Sequence, residues 1–127
     1  MKTLLIVIVM IGMKHQLNAQ IFTSNKQKVI WANGESCNVN QYKYYWIPFN
    51  KEIVYFHLYT DNGKHSRRDF QPYKIILKNN CTEYWTKEKV SGRTVLLQLC
   101  ENEIEPFIKI TRYVNGSAVK KTLYYLD

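Results

Sequence analysis

The stretch Ile53-Val54-Tyr55-Phe56-His57-Leu58-Tyr59, followed after Thr60 by Asp61-Asn62-Gly63-Lys64, decides the fold class. β-Branched and aromatic side chains suit a pleated, half-buried surface, so Ile53 to Tyr59 reads as a strand. Asn and Gly tolerate the positive φ that tight turns need, so Asp61 to Lys64 reads as a turn. The same language continues outward on both sides. Upstream, Tyr42 to Phe49 is dense in aromatics, and in a strand neighbours point to opposite faces, so half of them belong to the core. Downstream, Tyr73 to Lys78 reads as a strand ended by Asn79-Asn80, and Cys81 to Thr86 as another. A turn at Ser91-Gly92 precedes Arg93 to Cys100. Pro106 to Val114 and Ala118 to Leu126 flank Asn115-Gly116, the best short-range hairpin signal in the chain. Phe22 to Ala32 reads as one short helix, with Ser24 as N-cap, Val29 and Ile30 on the apolar face and Asn33-Gly34 as the stop. The expected fold class is mainly β (α+β), a small twisted antiparallel sheet of about six or seven strands with one short N-terminal helix.

The beginning of the chain points to export. Lys2 is followed by an apolar run from Thr3 to Met13, then by polar residues ending in Ala19. Positive end, short apolar core and small residue are the parts of a secretory signal, with cleavage expected after Ala19. The apolar run makes a helix of about 17 Å, too short for the roughly 30 Å hydrocarbon core. Residues 20–127 then form a single secreted domain with no further membrane segment. Without Lys2 and Lys14, sixteen basic residues stand against ten acidic ones. That balance favours anionic partners; the plain alternative is that lysines keep a tyrosine-rich β-protein soluble.

Of Cys37, Cys81 and Cys100, two are expected to pair in an oxidising compartment, and sequence alone leaves the pairing open. No CxxC or His/Cys cluster has ligand spacing, so neither a metal nor a cofactor is expected. Asn80-Cys81-Thr82 and Asn115-Gly116-Ser117 are glycosylation candidates in a eukaryotic source.

Candidate binding residues fall in three groups. His57 lies mid-strand, and histidine is a side chain that can serve as a general base, yet its nearest carboxylates in sequence, Glu52 and Asp61, lie off the strand's centre. Lys64-His65-Ser66-Arg67-Arg68 is a basic run read as a loop, where Lys64, Arg67 and Arg68 offer phosphate donors; the alternative is a solvated loop. Tyr44 and Trp46, beside Lys43, mix aromatic faces with charge as base-stacking platforms do. Glu101, Glu103 and Glu105 read as surface. No Gly-rich phosphate loop, nucleophile elbow or paired-carboxylate spacing occurs.

Ile53 to Cys100 resembles the central sheet of fungal guanyl-specific ribonucleases, and still more the ribonuclease-like effectors secreted by powdery mildew fungi. The residues that carry the likeness are Ile53 to Tyr59, Asp61-Asn62-Gly63, Pro72 to Asn80 and Val95 to Cys100. At the family's catalytic positions stand His57 for the carboxylate, Lys74 for the arginine and Lys89 for the histidine acid. A lysine of ordinary pKa gives up its proton poorly near neutral pH, so the resemblance implies the scaffold without ribonuclease chemistry. It further implies binding of a host protein, or of RNA, through the old groove. A second likeness is to blast-fungus effectors of the MAX class, six-stranded sandwiches with a disulfide from the first strand, whose spacing Cys37 and Cys81 resemble. The composition also suits an exported bacterial β-sandwich acting as a binding or inhibitor module.

The functional expectation is therefore a secreted, non-catalytic effector or virulence-type binding protein, extracellular or translocated into a host cell. An RNA hydrolase using His57 and a lysine is the catalytic alternative. The binding residues expected are His57, Lys64, Arg67, Arg68, Lys74, Tyr44 and Trp46.

Overall fold

In the computed structural model, which describes residues 20–40, 42–60 and 62–127, every regular element is a strand. They are β1 (Gln20–Trp31), β2 (Ser36–Val39), β3 (Lys43–Phe49), β4 (Val54–Tyr59), β5 (His65–Leu77), β6 (Thr82–Glu88), β7 (Thr94–Cys100), β8 (Phe107–Val114) and β9 (Ser117–Leu126). The strand order is β2-β1-β3-β4-β5-β6-β7-β8-β9, every pairing is antiparallel, and β1 also pairs with β9. Eight strands thus close into a barrel, and β2 is an extra strand on β1. The expected secretory signal, residues 1–19, lies outside the described residues.

Three expectations are corrected. The fold is all-β and closed, not an open α+β sheet of the ribonuclease type. The segment expected as a helix is β1, whose first part pairs with β3 and whose later part pairs with β2 and β9. Its apolar residues do not recur at helical spacing; instead Gln27, Val29 and Trp31 share one face, as cross-strand partners of Tyr124, Thr122 and Lys120. Ladder bonds and barrel closure outweigh a weak N-cap signal there. The basic run expected as a loop is also corrected: His65 to Arg68 open β5, pairing with Tyr59 to Phe56. Their polarity reflects one wet face of a strand rather than the absence of one.

The barrel is filled, not hollow. Tyr44, Trp46, Phe49, Val54, Phe56, Phe70, Val95, Leu97, Leu99, Ile108, Ile110 and Tyr124 form one buried cluster. Inward positions of β3, β4, β5, β7, β8 and β9 supply it, with Phe22 of β1 and Tyr84 of β6 packed against it, as expected of an eight-stranded barrel. Turn chemistry follows the sequence closely at the β8–β9 connection, where Asn115 (φ 52°) and Gly116 (φ 80°) both adopt the left-handed region that a two-residue hairpin needs. Asn115 and Asn80 are both exposed, Asn80 in the β5–β6 turn.

Cys81 and Cys100 form the disulfide, and Cys37 on β2 is free and exposed. The MAX-like spacing of Cys37 and Cys81 therefore corresponds to no bond. A disulfide is compatible with an extracellular setting.

Candidate functional site

At the barrel end formed by the β4–β5, β6–β7 and β8–β9 turns, the inward positions change from apolar to charged. On β5 the inward series runs Phe70, Arg68, Ser66, the cross-strand partners of Val54, Phe56 and Leu58. On β8 it runs Ile108, Ile110, Arg112, and on β9 Tyr124, Thr122, Lys120, opposite one another in that order. Glu88 is the partner of Phe70 on β6 and so shares the face. A cavity of about 280 Å³ opens here, lined by Gln27, Tyr42, Tyr44, Phe56, Leu58, Ser66, Arg68, Arg112, Lys120 and Tyr124.

Its electrostatics are one-sided. One Glu88 carboxylate oxygen lies 3.6 Å from Arg68 Nη1 and 3.9 Å from Arg112 Nη1. Ser91 Oγ donates to the other oxygen at 2.6 Å, so the carboxylate is held at the rim. Lys120 Nζ sits 4.9 Å from the Trp31 ring centroid and has no carboxylate partner among the described residues. Burial, then the charges of Arg112 and Arg68, hold the Lys120 amine below its ordinary value of 10.5. Burial and Arg68 likewise lower Arg112. Three cations against one carboxylate leave two positive charges unbalanced in a partly dry site.

The floor is aromatic. Tyr44 and Tyr124 meet edge to face at 4.8 Å, and Tyr44 lies flat against Phe56 at 5.9 Å. Tyr44 donates its hydroxyl to Gln27 Oε1, and Gln27 Nε2 donates to Tyr124 Oη at 3.4 Å. Burial, reinforced by Tyr42, pushes the Tyr44 phenol up to about 12. Burial raises Tyr124 as well. Both phenols stay neutral at physiological pH and add no negative charge. Beneath them Trp46, Phe70, Leu97 and Ile110 are fully buried, so the cup has a closed bottom.

A second feature lies on the outside of the same strands. A groove of about 510 Å³ is lined by Lys43, Tyr45, Ile47, Tyr55, His57 and Tyr59. His57 Nε2 lies 3.0 Å from the Ile47 carbonyl oxygen, which can only accept, so Nε2 carries the proton. His57 Nδ1, 2.8 Å from His65 Nε2, is then the acceptor of a histidine–histidine bond. Arg67 stacks over Tyr55 at 4.4 Å and pairs with Asp69 at 2.9 Å.

The seven residues expected to bind do not form one site. Arg68 and Tyr44 line the cup, and Trp46 lies buried below it. His57 and Arg67 are cross-strand partners on the outer face, and Lys64 is exposed in the adjoining turn. Lys74 is exposed beyond the β5 bulge, opposite Trp85, a cross-strand partner far along the sheet from His57. Neither ring nitrogen of His57 meets a carboxylate. Arg67 and Arg68, adjacent in sequence, point to opposite faces and cannot form one phosphate track.

Sequence reasoning missed Arg112, Lys120, Gln27 and Glu88. A signal was present for two of them. Arg112 continues the period-two series Ile108, Ile110, and Lys120 keeps step with Thr122 and Tyr124, so both fall on the apolar face of their hairpin. A cation on the buried side of a strand is the feature to notice.

Compared with known protein families, curated proteins and solved structures, the chain matches none.

Proposed function

We propose that this protein is an exported, non-catalytic binding module whose barrel mouth holds a small organic anion with an aromatic or apolar body. The observation that carries this reading is the cup's excess of cations over an aromatic, closed floor. Eight-stranded barrels are just wide enough to be filled by side chains or to hold one small ligand, and this one does the first below and leaves room for the second above. Arginine forks match carboxylate or phosphate oxygens, and the ring faces of Tyr44 and Phe56 supply apolar contact. Export and binding without turnover are retained from the sequence reading; a groove inherited from a ribonuclease has no counterpart in a closed barrel. The signal-like residues 1–19 and the disulfide support the extracellular setting.

The test is a fluorescence or calorimetric titration with naphthalene-2-carboxylate and its neutral alcohol analogue. The carboxylate is expected to bind at least tenfold more tightly than the alcohol. Arg112→Leu should weaken the carboxylate by a further factor of about ten, the scale of one charge-assisted hydrogen bond. Lys74→Met, on the outer surface, should change nothing. Equal binding of acid and alcohol, or an Arg112→Leu variant that binds like the parent, sinks the reading.

The pH dependence has a definite sign. Lys120 must be protonated to attract the anion, and its amine is held below 10.5. Affinity should therefore decline on the alkaline side, starting below pH 10.5, while Tyr44 is still neutral. Lys120→Met should remove that decline. An unchanged alkaline limb in the variant would show that Lys120 takes no part.

A further inference from the structure

We infer that the cup selects dianions, and that the ligand class is a phosphomonoester with a flat apolar group. The inference rests on the anion-binding reading above and goes beyond it in charge and head group. Among the described residues at the cup, the cations Arg68, Arg112 and Lys120 are set against one carboxylate, Glu88, which meets only the two arginines. A monoanion leaves one positive charge unbalanced beside the others; a dianion brings the site to neutrality.

The depressed basicity of Lys120 and Arg112 has the same origin. Burial presses on both groups, the Arg68 charge lowers each of them, and Arg112 lowers Lys120 further. An incoming dianion relieves all three at once. Like charges that outnumber their counter-charges in a partly buried site cost stability, and a ligand that neutralises them recovers it as affinity.

Geometry favours phosphate among dianions. Arg112 and Lys120 are cross-strand partners on β8 and β9, while Arg68 reaches the same mouth from β5, so the cations approach from two sides of the barrel wall. A phosphate presents three terminal oxygens around one atom, which suits donors converging from more than one side. The two carboxylates of a dicarboxylate would have to share a cavity of about 280 Å³ with the apolar body. The closed floor of Tyr44, Tyr124 and Phe56 limits that body to about the size of one or two rings, lying toward Tyr42 and Leu58. Neutral phenols at Tyr44 and Tyr124 do not oppose the added charge.

Phenyl phosphate and phenyl sulfate separate charge from shape, because they are near-isosteric and differ by one charge above the second phosphate pKa of about 6. Calorimetric titration of the mature protein at pH 7.5 should give phenyl phosphate at least tenfold tighter than phenyl sulfate. At pH 5, where the phosphate ester is mainly a monoanion, the ratio should shrink toward one. Lys120→Met should also collapse the pH 7.5 ratio toward one while leaving measurable sulfate binding. Inorganic phosphate should bind more weakly than phenyl phosphate, since it leaves the aromatic floor uncovered. Vesicles carrying phosphatidic acid separate a free ester from a lipid head group: binding to them as tight as to phenyl phosphate would place the source in a membrane and overturn the small-ligand assignment. Equal affinities for the two phenyl esters at pH 7.5 overturn the dianion preference and leave the anion cup standing. Binding of neither ester overturns both.

Discussion

Replacing Trp46 by alanine is expected to remove about 3–5 kcal/mol of stability, the usual cost of truncating a large buried aromatic. Trp46 is wholly buried on β3, with ring centroids 5.0 Å from both Phe56 and Tyr124. It therefore joins the strands β3, β4 and β9 across the barrel interior rather than packing along one hairpin. Domains of this size have total stabilities of about 5–15 kcal/mol, so the loss is a large share of the whole. Urea unfolding followed by circular dichroism would measure it. Trp46→Phe should cost much less. The indole Nε1 is buried without a hydrogen-bond partner, so the smaller ring removes an unpaired donor along with some volume. An alanine variant within about 1 kcal/mol of the parent would mean that the barrel is not packed around this ring.

Removing the Cys81–Cys100 bond by a double serine substitution is expected to cost about 3 kcal/mol. The two residues are separated by 19 positions, and closing a loop of that size in the unfolded chain accounts for this magnitude in the chain-entropy description. For a domain of this size the melting temperature should fall by roughly 12–24 °C. The bond lies beside the β6–β7 pairing at Thr82 and Leu99, whereas the cup lies at the barrel end where β6 finishes at Glu88. Anion affinity measured well below the new melting temperature should thus be unchanged. Cys37→Ser, an exposed position, should leave stability as it was. If the double variant melts with the parent while Cys37→Ser melts early, Cys37 is part of the stabilising bond and the pairing described here is wrong.

The two results bear on function through the same architecture. Packing around Trp46 makes the floor of the cup, and the disulfide anchors the far end, so the mouth can carry repelling charges on a scaffold that holds them in place. A site made of Arg68, Arg112 and Lys120 needs such support, because like charges push their strands apart. This also explains why the cations appear only near the rim: deeper inward positions such as Ile110, Leu97 and Phe70 are fully buried, where an unpaired charge would cost several kcal/mol.

Local sequence determined most strands from Lys43 to Leu126 to within a few residues, because β-branched and aromatic runs and the turns Asn62-Gly63 and Asn115-Gly116 act over short range; the exception is β5, which begins at His65 rather than Tyr73 because its first half is polar. That Arg67 and Arg68 part company was decided by the strand pairing of β5 with β4, not by the run of basic residues. Tertiary structure alone decided that β1 is a strand, that β1 meets β9, and that Cys81 rather than Cys37 is bonded to Cys100. The physical reason is that a period of two states which residues share a face but not which strands become neighbours. Barrel closure, set by pairings between segments about a hundred residues apart, is what turned the inward positions of β5, β8 and β9 into one charged mouth.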